Sequence, residues 1–497
     1  MAAPRHAPRE ERRLTPGGEV KGKRVVNTRL LLAVVVSAIL ISVLNQTFTN
    51  VVVPDIQRDY GVSQGEAGWV ITGYLLVFAV GIPLYGRIAD LYSLRRVFSL
   101  GLLVLAAGSL VCALAPTLPI LVAGRIVQAA GAAAIPALGF ASVAKALPPG
   151  KRGMALGLLS SSVGIGAAVG PVAGGVIAGF LGWQVLFFLT LVLGLVLIPG
   201  AFRVLPGAPD KGAVPAGFVA ALHHFDVPGG LSLALAAGFS LFGVTEGQVL
   251  GFGSPVVWGS FALAVAAAVF FGWRIRHAPE PFVWPGLFRN RAFVATAVVG
   301  FFMMFTNVGS LVLAPLLLSE VNGLSATGIG LVLAPGAVVV AVLSPVAGRL
   351  SARFGPRALV RIGLVIFGIS MFSISAFAAG ASSAAVAVGI LGQSLGFALV
   401  NSPTANAAAA SLSRDESGVG LGIYQMLFFL GGGFGPAVAA TFLAVRQGAG
   451  AGALNPLFTA SSASFSDAFL LLTISSVVAL ISATGLKRRI GKGDKGA

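Results

Sequence analysis

The sequence has few charged residues and few reactive side chains. Of its 497 residues only 10% are Asp, Glu, Lys or Arg, whereas a soluble domain carries about a quarter. The single cysteine, Cys112, excludes an intrachain disulfide and a cysteine metal cluster. None of the four histidines lies in a long apolar run. Because an active site needs such groups together, an enzyme or a resident metal centre is not expected. The histidines are His6, His223, His224 and His277.

Apolar residues make up 56% of the chain and are gathered in long runs. A run of about 20 apolar residues is long enough to cross a bilayer as a helix. The sequence therefore predicts an all-α integral membrane protein with fourteen transmembrane helices. The predicted spans are 29–53, 67–87, 97–115, 118–143, 153–180, 183–203, 227–246, 254–274, 291–319, 325–350, 357–380, 383–410, 418–445 and 466–486.

The net charge of +17 has a topological explanation. No RNA-module motif, zinc-finger spacing or basic stripe with aromatics is present, so nucleic acid is not an expected partner. Thirty of the 33 Lys and Arg residues fall in the tails and even-numbered connections, which places both termini in the cytoplasm. The exceptions are Arg58, Arg125 and Arg446. Because the first 28 residues lack a signal-peptide pattern, they are predicted to form a disordered basic tail.

Two polar stretches, 203–226 and 274–291, bracket the seventh and eighth spans. The segments GRIADLYSLRR at 86–96 and GRLSARFGPR at 348–357 each follow the second span of a group of six, which indicates an internal repeat. Repeated halves around a central site are typical of secondary transporters. The predicted organisation is a cytoplasmic tail (1–28), a six-helix half (29–203), a linker with two inserted helices (204–290), a second six-helix half (291–486) and a basic cytoplasmic tail (487–497).

The fifth span is unusually rich in glycine. Glycine costs about 1 kcal/mol relative to alanine in a helix interior, so its repeated use indicates close backbone approach or flexing. The residues concerned are Gly157, Gly166, Gly170, Pro171, Gly174 and Gly175.

Arg125 lies inside the fourth span, where inserting a charge costs at least about 2.5 kcal/mol. Such a residue is a functional candidate by default. Gln128 lies on the same helix face, and the first span offers two polar rows at a spacing of four. These side chains either line a wet substrate cavity or form hydrogen bonds between helices. The rows are Asn45 with Thr49, and Gln46 with Asn50.

The connection after the second span holds Asp90 close to Arg95 and Arg96. This arrangement could latch neighbouring helices by charge pairing and release them during transport. The alternative is an ordinary basic cytoplasmic loop.

Together these segments resemble the major facilitator superfamily, specifically its fourteen-helix drug/proton antiporters. The family loop G-x-L-A-D-R-x-G-R-K is matched at Gly86, Asp90 and Arg95. The helix 4 pattern R-x-x-Q-G-x-G is matched at Arg125, Gln128 and Gly131. The antiporter motif G-x8-G-x3-GP-x2-GG is matched in full by the glycine-rich run of the fifth span.

Within that family, SVLNQTFTNVVVPDI (42–56), QAAGAAAIPAL (128–138) and EPFVWPGLF (280–288) look most like the Gram-positive tetracycline/proton antiporters. The resemblance implies efflux of an antibiotic as a metal chelate in exchange for protons. Two acids of that subgroup fall at Gln46 and Ala167 here. Without them, neutral, zwitterionic or anionic amphiphiles are favoured over dications.

Proton coupling requires a group whose pKa burial and substrate can shift. The resemblance points to Glu320 at the outer end of the ninth span and to Asp90. Glu246, at the end of the seventh span, is a third candidate. The alternative for Glu320 is a solvated loop carboxylate, and Asp226 is more simply a helix N-cap.

These observations predict proton-coupled efflux of small amphiphilic compounds across a bacterial cytoplasmic membrane by alternating access. The expected protein is a monomer in the lipid bilayer with a small-molecule substrate and protons as partners, and it needs no cofactor beyond the proton gradient. Export of lipid, an endogenous metabolite or a monovalent cation on the same scaffold is an alternative, as is a sensor that does not transport.

Overall fold

A computed structural model describes residues 27–207, 226–379, 382–413, 416–450, 452–459 and 461–486. In these ranges the regular structure is helical, and fourteen helices are long and apolar enough to cross a membrane. This confirms the predicted fold class. The predicted basic tails lie almost entirely outside the described residues, as does most of the polar stretch after the sixth span.

The first six spanning helices, called here the first half, are separated by short connections. Their ranges are α1 Thr28–Tyr60, α2 Gln64–Leu91, α3 Leu94–Ala113, α4a Leu118–Ala132 with its continuation α4b Ala134–Ala146, α5 Pro149–Leu181 and α6 Gln184–Val204.

Eight further spanning helices follow. The inserted pair consists of α7 Val227–Leu250 and α8 Pro255–His277. The second half consists of α9 Arg291–Glu320, α10 Ala326–Phe354, α11 Pro356–Ser373, α12 Ser383–Ala410, α13 Ser417–Ala449 and α14 Ala463–Ser482. Three short pieces join them: a helical turn at Gly286–Arg289, a π-helical turn at Ile374–Ala378 and a 3-10 turn at Ala483–Gly485.

Most helices extend beyond the apolar runs, since polar residues at their ends still complete the backbone hydrogen bonds. The first helix continues to Tyr60 and stops at Gly61, whose φ of 64° is a left-handed conformation that favours glycine. The second begins with a capping box in which Ser63 and Glu66 exchange hydrogen bonds. Capping chemistry, rather than the end of hydrophobicity, therefore fixes these boundaries.

The fourth span differs from the single helix predicted at 118–143, because it is divided at Ala133 and runs on to Ala146. Pro136 has no backbone N–H, so it cannot donate to the carbonyl of Ala132 four residues earlier. Hydrophobicity alone did not predict this division, although Pro136 within the run was a signal for it.

The same neighbour relations occur in both halves. The pairs α1–α5, α2–α4a, α3–α4a and α3–α6 recur as α9–α13, α10–α12, α11–α12 and α11–α14. Between the halves, α2 packs on α13 and α5 packs on α10, again as equivalent pairs. The inserted helices pack on each other, and α7 lies against α2 and α13.

The halves cross most closely at the end of the bundle that carries the α2–α3 and α4b–α5 connections, called here the basic end. A Cβ atom at Gly86 would lie 2.6 Å from the carbonyl oxygen of Gly418, and one at Gly153 would lie 2.6 Å from that of Gly348. Both distances are too short for a side chain. Glycine at these crossings lets the helix backbones touch.

Candidate functional site

Arg125 lies inside the first half with only 1% of its surface exposed. Its Nη1 donates to Oδ1 of Asn45 at 2.7 Å and to Oε1 of Gln128 at 2.6 Å. Its Nε donates to the carbonyl oxygen of Val70 at 3.1 Å. Of the two alternatives for these side chains, a wet cavity or hydrogen bonds between helices, the direct contact of Arg125 with Asn45 is the second.

Further side chains extend this cluster. The ring of Tyr74 lies 4.0 Å from the guanidinium carbon, within the range of a cation–π contact. Gln128 donates to Ser109 of α3 at 2.7 Å, and Asn45 donates to Thr190 of α6 at 3.3 Å. We call these groups the Arg125 network. It joins α1, α2, α3, α4a and α6.

The hydrogen bonds of the network reduce the free-energy cost of burying the guanidinium, but in the described part of the chain they leave its positive charge unpaired with a carboxylate. All the hydrogen-bond partners that the described residues give Arg125 are neutral oxygens. A buried cation normally requires pairing or dense hydrogen bonding, and here hydrogen bonding serves alone. The guanidinium is therefore held by neutral groups alone, and its positive charge has no carboxylate partner among the described residues.

The other polar residues of α1 divide into two sets. Thr49 is buried, and its hydroxyl donates to the carbonyl oxygen of Asn45 at 2.9 Å. Gln46 is half-buried and Asn50 is exposed. Sequence reasoning missed Tyr74 and Thr190, although a polar side chain within an apolar span was a signal for both.

Three glycines of the antiporter motif face α1. A Cβ atom at Gly166 would lie 2.9 Å from the Cβ of Val43, one at Gly174 would lie 2.5 Å from the Cβ of Phe48, and one at Gly170 would overlap the hydroxyl of Thr47. That hydroxyl donates to the carbonyl oxygen of Gly166 at 3.1 Å. These glycines permit close α1–α5 packing inside the first half.

Gly157, the first glycine of the motif, faces the other half. A Cβ atom there would lie 2.9 Å from the carbonyl oxygen of Ser344 in α10 and 3.0 Å from the hydroxyl of Ser402 in α12. Gly175 makes an ordinary contact at 3.5 Å, and Pro171 is half-buried within the continuous α5. The motif thus serves two interfaces, one within the first half and one between the halves.

Asp90 joins the halves at the basic end, and its side chain is only 6% exposed. Its Oδ1 accepts from the backbone N–H of Gly418 at 2.9 Å, and its Oδ2 accepts from that of Val419 at 2.9 Å. Lys145 of α4b pairs with it at 3.0 Å. Asp90 therefore caps the N-terminus of α13, where the helix dipole favours a negative charge.

Arg95 has a different place from the one predicted. The sequence suggested that it pairs with Asp90, but its Nε donates to the carbonyl oxygen of Leu205 at 3.1 Å, beyond the end of α6. The cation that pairs with Asp90 is Lys145, which lies 55 residues away in the sequence. That distance in the chain explains why inspection of the loop alone missed it.

The other carboxylates considered in the sequence analysis, Glu320, Glu246 and Asp226, lie at a helix end or on the inserted pair. Glu320 is exposed at the end of α9, where its Oε2 lies 3.5 Å from Nε2 of Gln447. Glu246 is half-buried on α7. Asp226 accepts from Gly229 N–H at 3.3 Å as an N-cap, and it also pairs with Arg274 at 2.9 Å.

The second half contains a polar cluster that the sequence analysis did not identify. Gln393 of α12 accepts from Ser310 of α9 at 2.6 Å and donates to Oδ1 of Asn307 at 3.1 Å. The available signal was a repeated Q-x-x-G, at Gln128 in α4a and Gln393 in α12. We call this cluster the Gln393 network.

Two related six-helix halves, crossing at one end and holding buried polar networks, define the architecture of a secondary membrane transporter. The chain belongs to the Major Facilitator Superfamily, whose family model matches residues 35–436 and 296–490. It is therefore a multi-pass membrane transporter and not an enzyme. Among the described residues, no group of three or more His, Cys, Asp or Glu could hold a metal ion.

Several characterised and uncharacterised relatives match. The chain is 29% identical to the multidrug resistance protein Stp of Mycobacterium tuberculosis (strain CDC 1551 / Oshkosh), over 81% of this chain and 73% of Stp. It is 28% identical to the tetracenomycin C resistance and export protein of Streptomyces glaucescens, over 84% and 76% of the two chains. It is also 28% identical to the uncharacterized MFS-type transporter YhcA of Bacillus subtilis, over 70% of this chain but only 63% of that protein.

A solved structure supports the fold. The human organic anion transporter MFSD10 (TETRAN) superimposes with a TM-score of 0.65, covering 92% of this chain and 99% of that one. Sequence identity is 18%. The likeness establishes the shared helical architecture.

Proposed function

We propose that this transporter exports small amphiphilic compounds, such as antibiotics or endogenous metabolites, from a bacterial cell in exchange for protons. The observation that carries the proposal is the Arg125 network, a buried cation with neutral partners that joins five helices. The complete antiporter motif in α5 supports the direction of transport. The names of Stp and of the tetracenomycin C exporter support the substrate class.

The distribution of positive charge supports the proposed orientation. The connections at the basic end carry most of the Lys and Arg residues, whereas Arg58 and Arg446 lie near the opposite ends of α1 and α13. Basic residues are enriched in cytoplasmic loops. In this proposal, the basic end and both termini are in the cytoplasm.

The helix crossings at the basic end support alternating access. Close backbone approaches between Gly86 and Gly418, and between Gly153 and Gly348, hold the two halves together at the basic end, which in this proposal is the closed cytoplasmic side. Asp90 holds α13 at the same end. Rocking of one half against the other would separate these contacts and open a path to the cytoplasm.

The chemistry of the Arg125 network supports neutral, zwitterionic or anionic substrates. A dication near this network would be repelled by the guanidinium. A metal chelate with net positive charge would meet the same repulsion, because the two acids of the tetracycline subgroup are replaced by Gln46 and Ala167.

Asp90 is the proton-coupling residue that we favour, ahead of Glu320 and Glu246. It is the one of these three whose hydrogen bonds reach the other half. Protonation would remove the charge that pairs with Lys145 and that interacts with the α13 dipole. Proton uptake would thereby loosen the closed cytoplasmic side.

Transport by purified protein in proteoliposomes tests the proposal. With an imposed proton gradient, a zwitterionic antibiotic should be moved faster than an ethidium-like cation, and substrate should in turn drive proton movement. Preferential export of dications would contradict the substrate class. Substrate binding without any coupled proton movement would favour a sensor, and export of lipid or of a monovalent cation alone would favour the alternative transporters.

A further inference from the structure

A small cavity lies between the two halves of the molecule. Its volume is about 10 Å³. The first half contributes α4b and α5 to its wall, and the second half contributes α12 and α13. The lining residues are Phe140, Ser160, Val163, Asn401, Ala405, Tyr424, Gln425 and Phe428.

Three of these residues present polar atoms that have no hydrogen-bond partner within the protein. They are the hydroxyl of Ser160, Nδ2 of Asn401 and the hydroxyl of Tyr424, and their residues are only 1%, 3% and 1% exposed. Buried polar groups in folded proteins are nearly always hydrogen-bonded. The residues that carry these three atoms line one cavity, which therefore indicates a ligand-binding site, although the Tyr424 hydroxyl also lies beside Gly300 of α9.

Ser161, the residue after Ser160, shows how a buried serine of α5 can be hydrogen-bonded within its own helix. Ser161 is also buried, but its hydroxyl donates to the carbonyl oxygen of Gly157 in its own helix at 2.9 Å. A serine in a helix can satisfy itself in this way. Ser160 instead lines the cavity with its hydroxyl unpaired within the protein.

The size and chemistry of the cavity select its ligand. A cavity of this volume holds about one water molecule, which needs two to four polar partners. The amide of Asn401 donates, and the two hydroxyls can donate or accept. No residue of the lining is charged, so an ion is not favoured. We propose that the cavity binds a single water molecule that bridges the two halves.

The water would bridge the two halves while they are closed and would be released when they separate. Because Ser160 belongs to one half, whereas Asn401 and Tyr424 belong to the other, the complete site exists only while the halves are closed at this level. Two further buried hydroxyls without a partner, Ser344 and Ser402, lie where Gly157 meets the second half. Separation of the halves would expose the cavity residues, Ser344 and Ser402 to solvent. Hydration of this interface can therefore begin at the bound water and extend to the two serines.

Radiolytic labelling of the full chain in lipid nanodiscs tests the site directly. Hydroxyl radicals formed from a bound water modify adjacent aromatic rings. Phe428 lines the cavity and is 3% exposed, whereas Phe98 lies elsewhere in the first half and is 0% exposed. We expect Phe428 to be labelled several-fold faster than Phe98.

Variants connect the label to the three polar groups. Asn401→Leu keeps similar bulk without the donor, and Ser160→Ala is a milder change, so each should bring Phe428 labelling down towards the level of Phe98. Ser161→Ala is the matched control and should leave labelling unchanged. Equal labelling of the two phenylalanines, or full Phe428 labelling in both cavity variants, would overturn the proposal. The water site rests on the proposed function only for the direction of opening, so labelling can succeed or fail independently of proton-coupled export.

Discussion

Gln128 and Gln393 occupy equivalent positions in the two halves, since each is the eleventh residue of its helix, α4a or α12. Each exchanges hydrogen bonds within a buried polar network. At the eighth position of these helices, however, the first half has Arg125 and the second has Ile390. Each half therefore contains a buried polar network around an equivalent glutamine. The network of the first half is charged because it includes Arg125.

The helix crossings at the basic end show a second difference. Gly86 meets Gly418, and the equivalent crossing brings Gly348 against Gly153. Four residues after Gly86 stands Asp90, which caps α13, whereas four residues after Gly348 stands an alanine. Both closures use glycine, but only one adds a carboxylate. At this crossing a carboxylate stands only on the first-half side, which is where we expect coupling to occur, whereas the largely buried Arg446–Asp467 pair of the second half lies at the opposite end.

The largest expected effect comes from removing the charge that distinguishes the networks. Arg125→Ala should reduce export to background while insertion and folding persist. Gln393→Ala removes the neutral hydrogen-bond partner of Ser310 and Asn307. Leaving a buried polar group unsatisfied costs about 1–3 kcal/mol of stability, so export should slow without being abolished. Export in inverted vesicles, with membrane levels of each variant as the control, measures both. Equal losses would mean that the two networks have the same role.

The transmembrane spans and the close glycine packing could be predicted from the sequence. Apolar runs gave the fourteen spans, and the glycine motif indicated close packing because backbone contact excludes larger side chains. Arg125 and the polar rows of α1 were identified from the sequence, since a buried charge requires polar neighbours, but the direct contact of Arg125 with Asn45 was not predicted. The pairing of Asp90 with Lys145 was not predicted either, because it depends on how α2 lies against α4b.

The Gln393 network shows another limit of sequence reasoning. Neutral glutamine and serine side chains cost less free energy to place in a membrane span than a charged side chain does. They therefore do not stand out in the sequence as a lone arginine does. The repeated Q-x-x-G would have revealed them once the halves were aligned. The division of the fourth span at Ala133 was also missed, since hydrophobicity does not report backbone hydrogen bonds.

The next largest effect should come from obstructing the glycine crossings. Gly86→Ala places a methyl group 2.6 Å from the carbonyl oxygen of Gly418, and overpacking costs about 1–3 kcal/mol. The closed population should fall in a distance measurement between labels at the basic end of each half. Gly179→Ala in α5 is the control, because no atom lies within 4 Å of the added carbon. A closed population unchanged by Gly86→Ala would contradict the proposed crossing.

Asp90→Asn should have a moderate effect, because it keeps the shape but removes the charge and one of the two oxygens that accept from Gly418 and Val419. Favourable contacts between a charge and a helix terminus contribute at most about 2 kcal/mol, so the closed population should fall by less than with an obstructed crossing. Proton-driven export should also lose its dependence on the gradient if Asp90 carries the proton. Lys145→Met is the comparison: it weakens the same contact but retains the carboxylate, so gradient dependence should survive. Loss of that dependence in both variants would assign the effect to the latch alone.

The smallest effect is expected for Glu320→Gln. Glu320 is exposed and its contact with Gln447 is long, at 3.5 Å. Exposed contacts of this kind contribute roughly 0–1 kcal/mol, so export should change by only a few-fold and stay dependent on the proton gradient. The measurement is the initial export rate at several imposed gradients, beside Asp90→Asn. A gradient-independent Glu320→Gln transporter would place coupling at the outer end of α9, and the Asp90 carboxylate at the glycine crossing would then serve packing and closure rather than coupling.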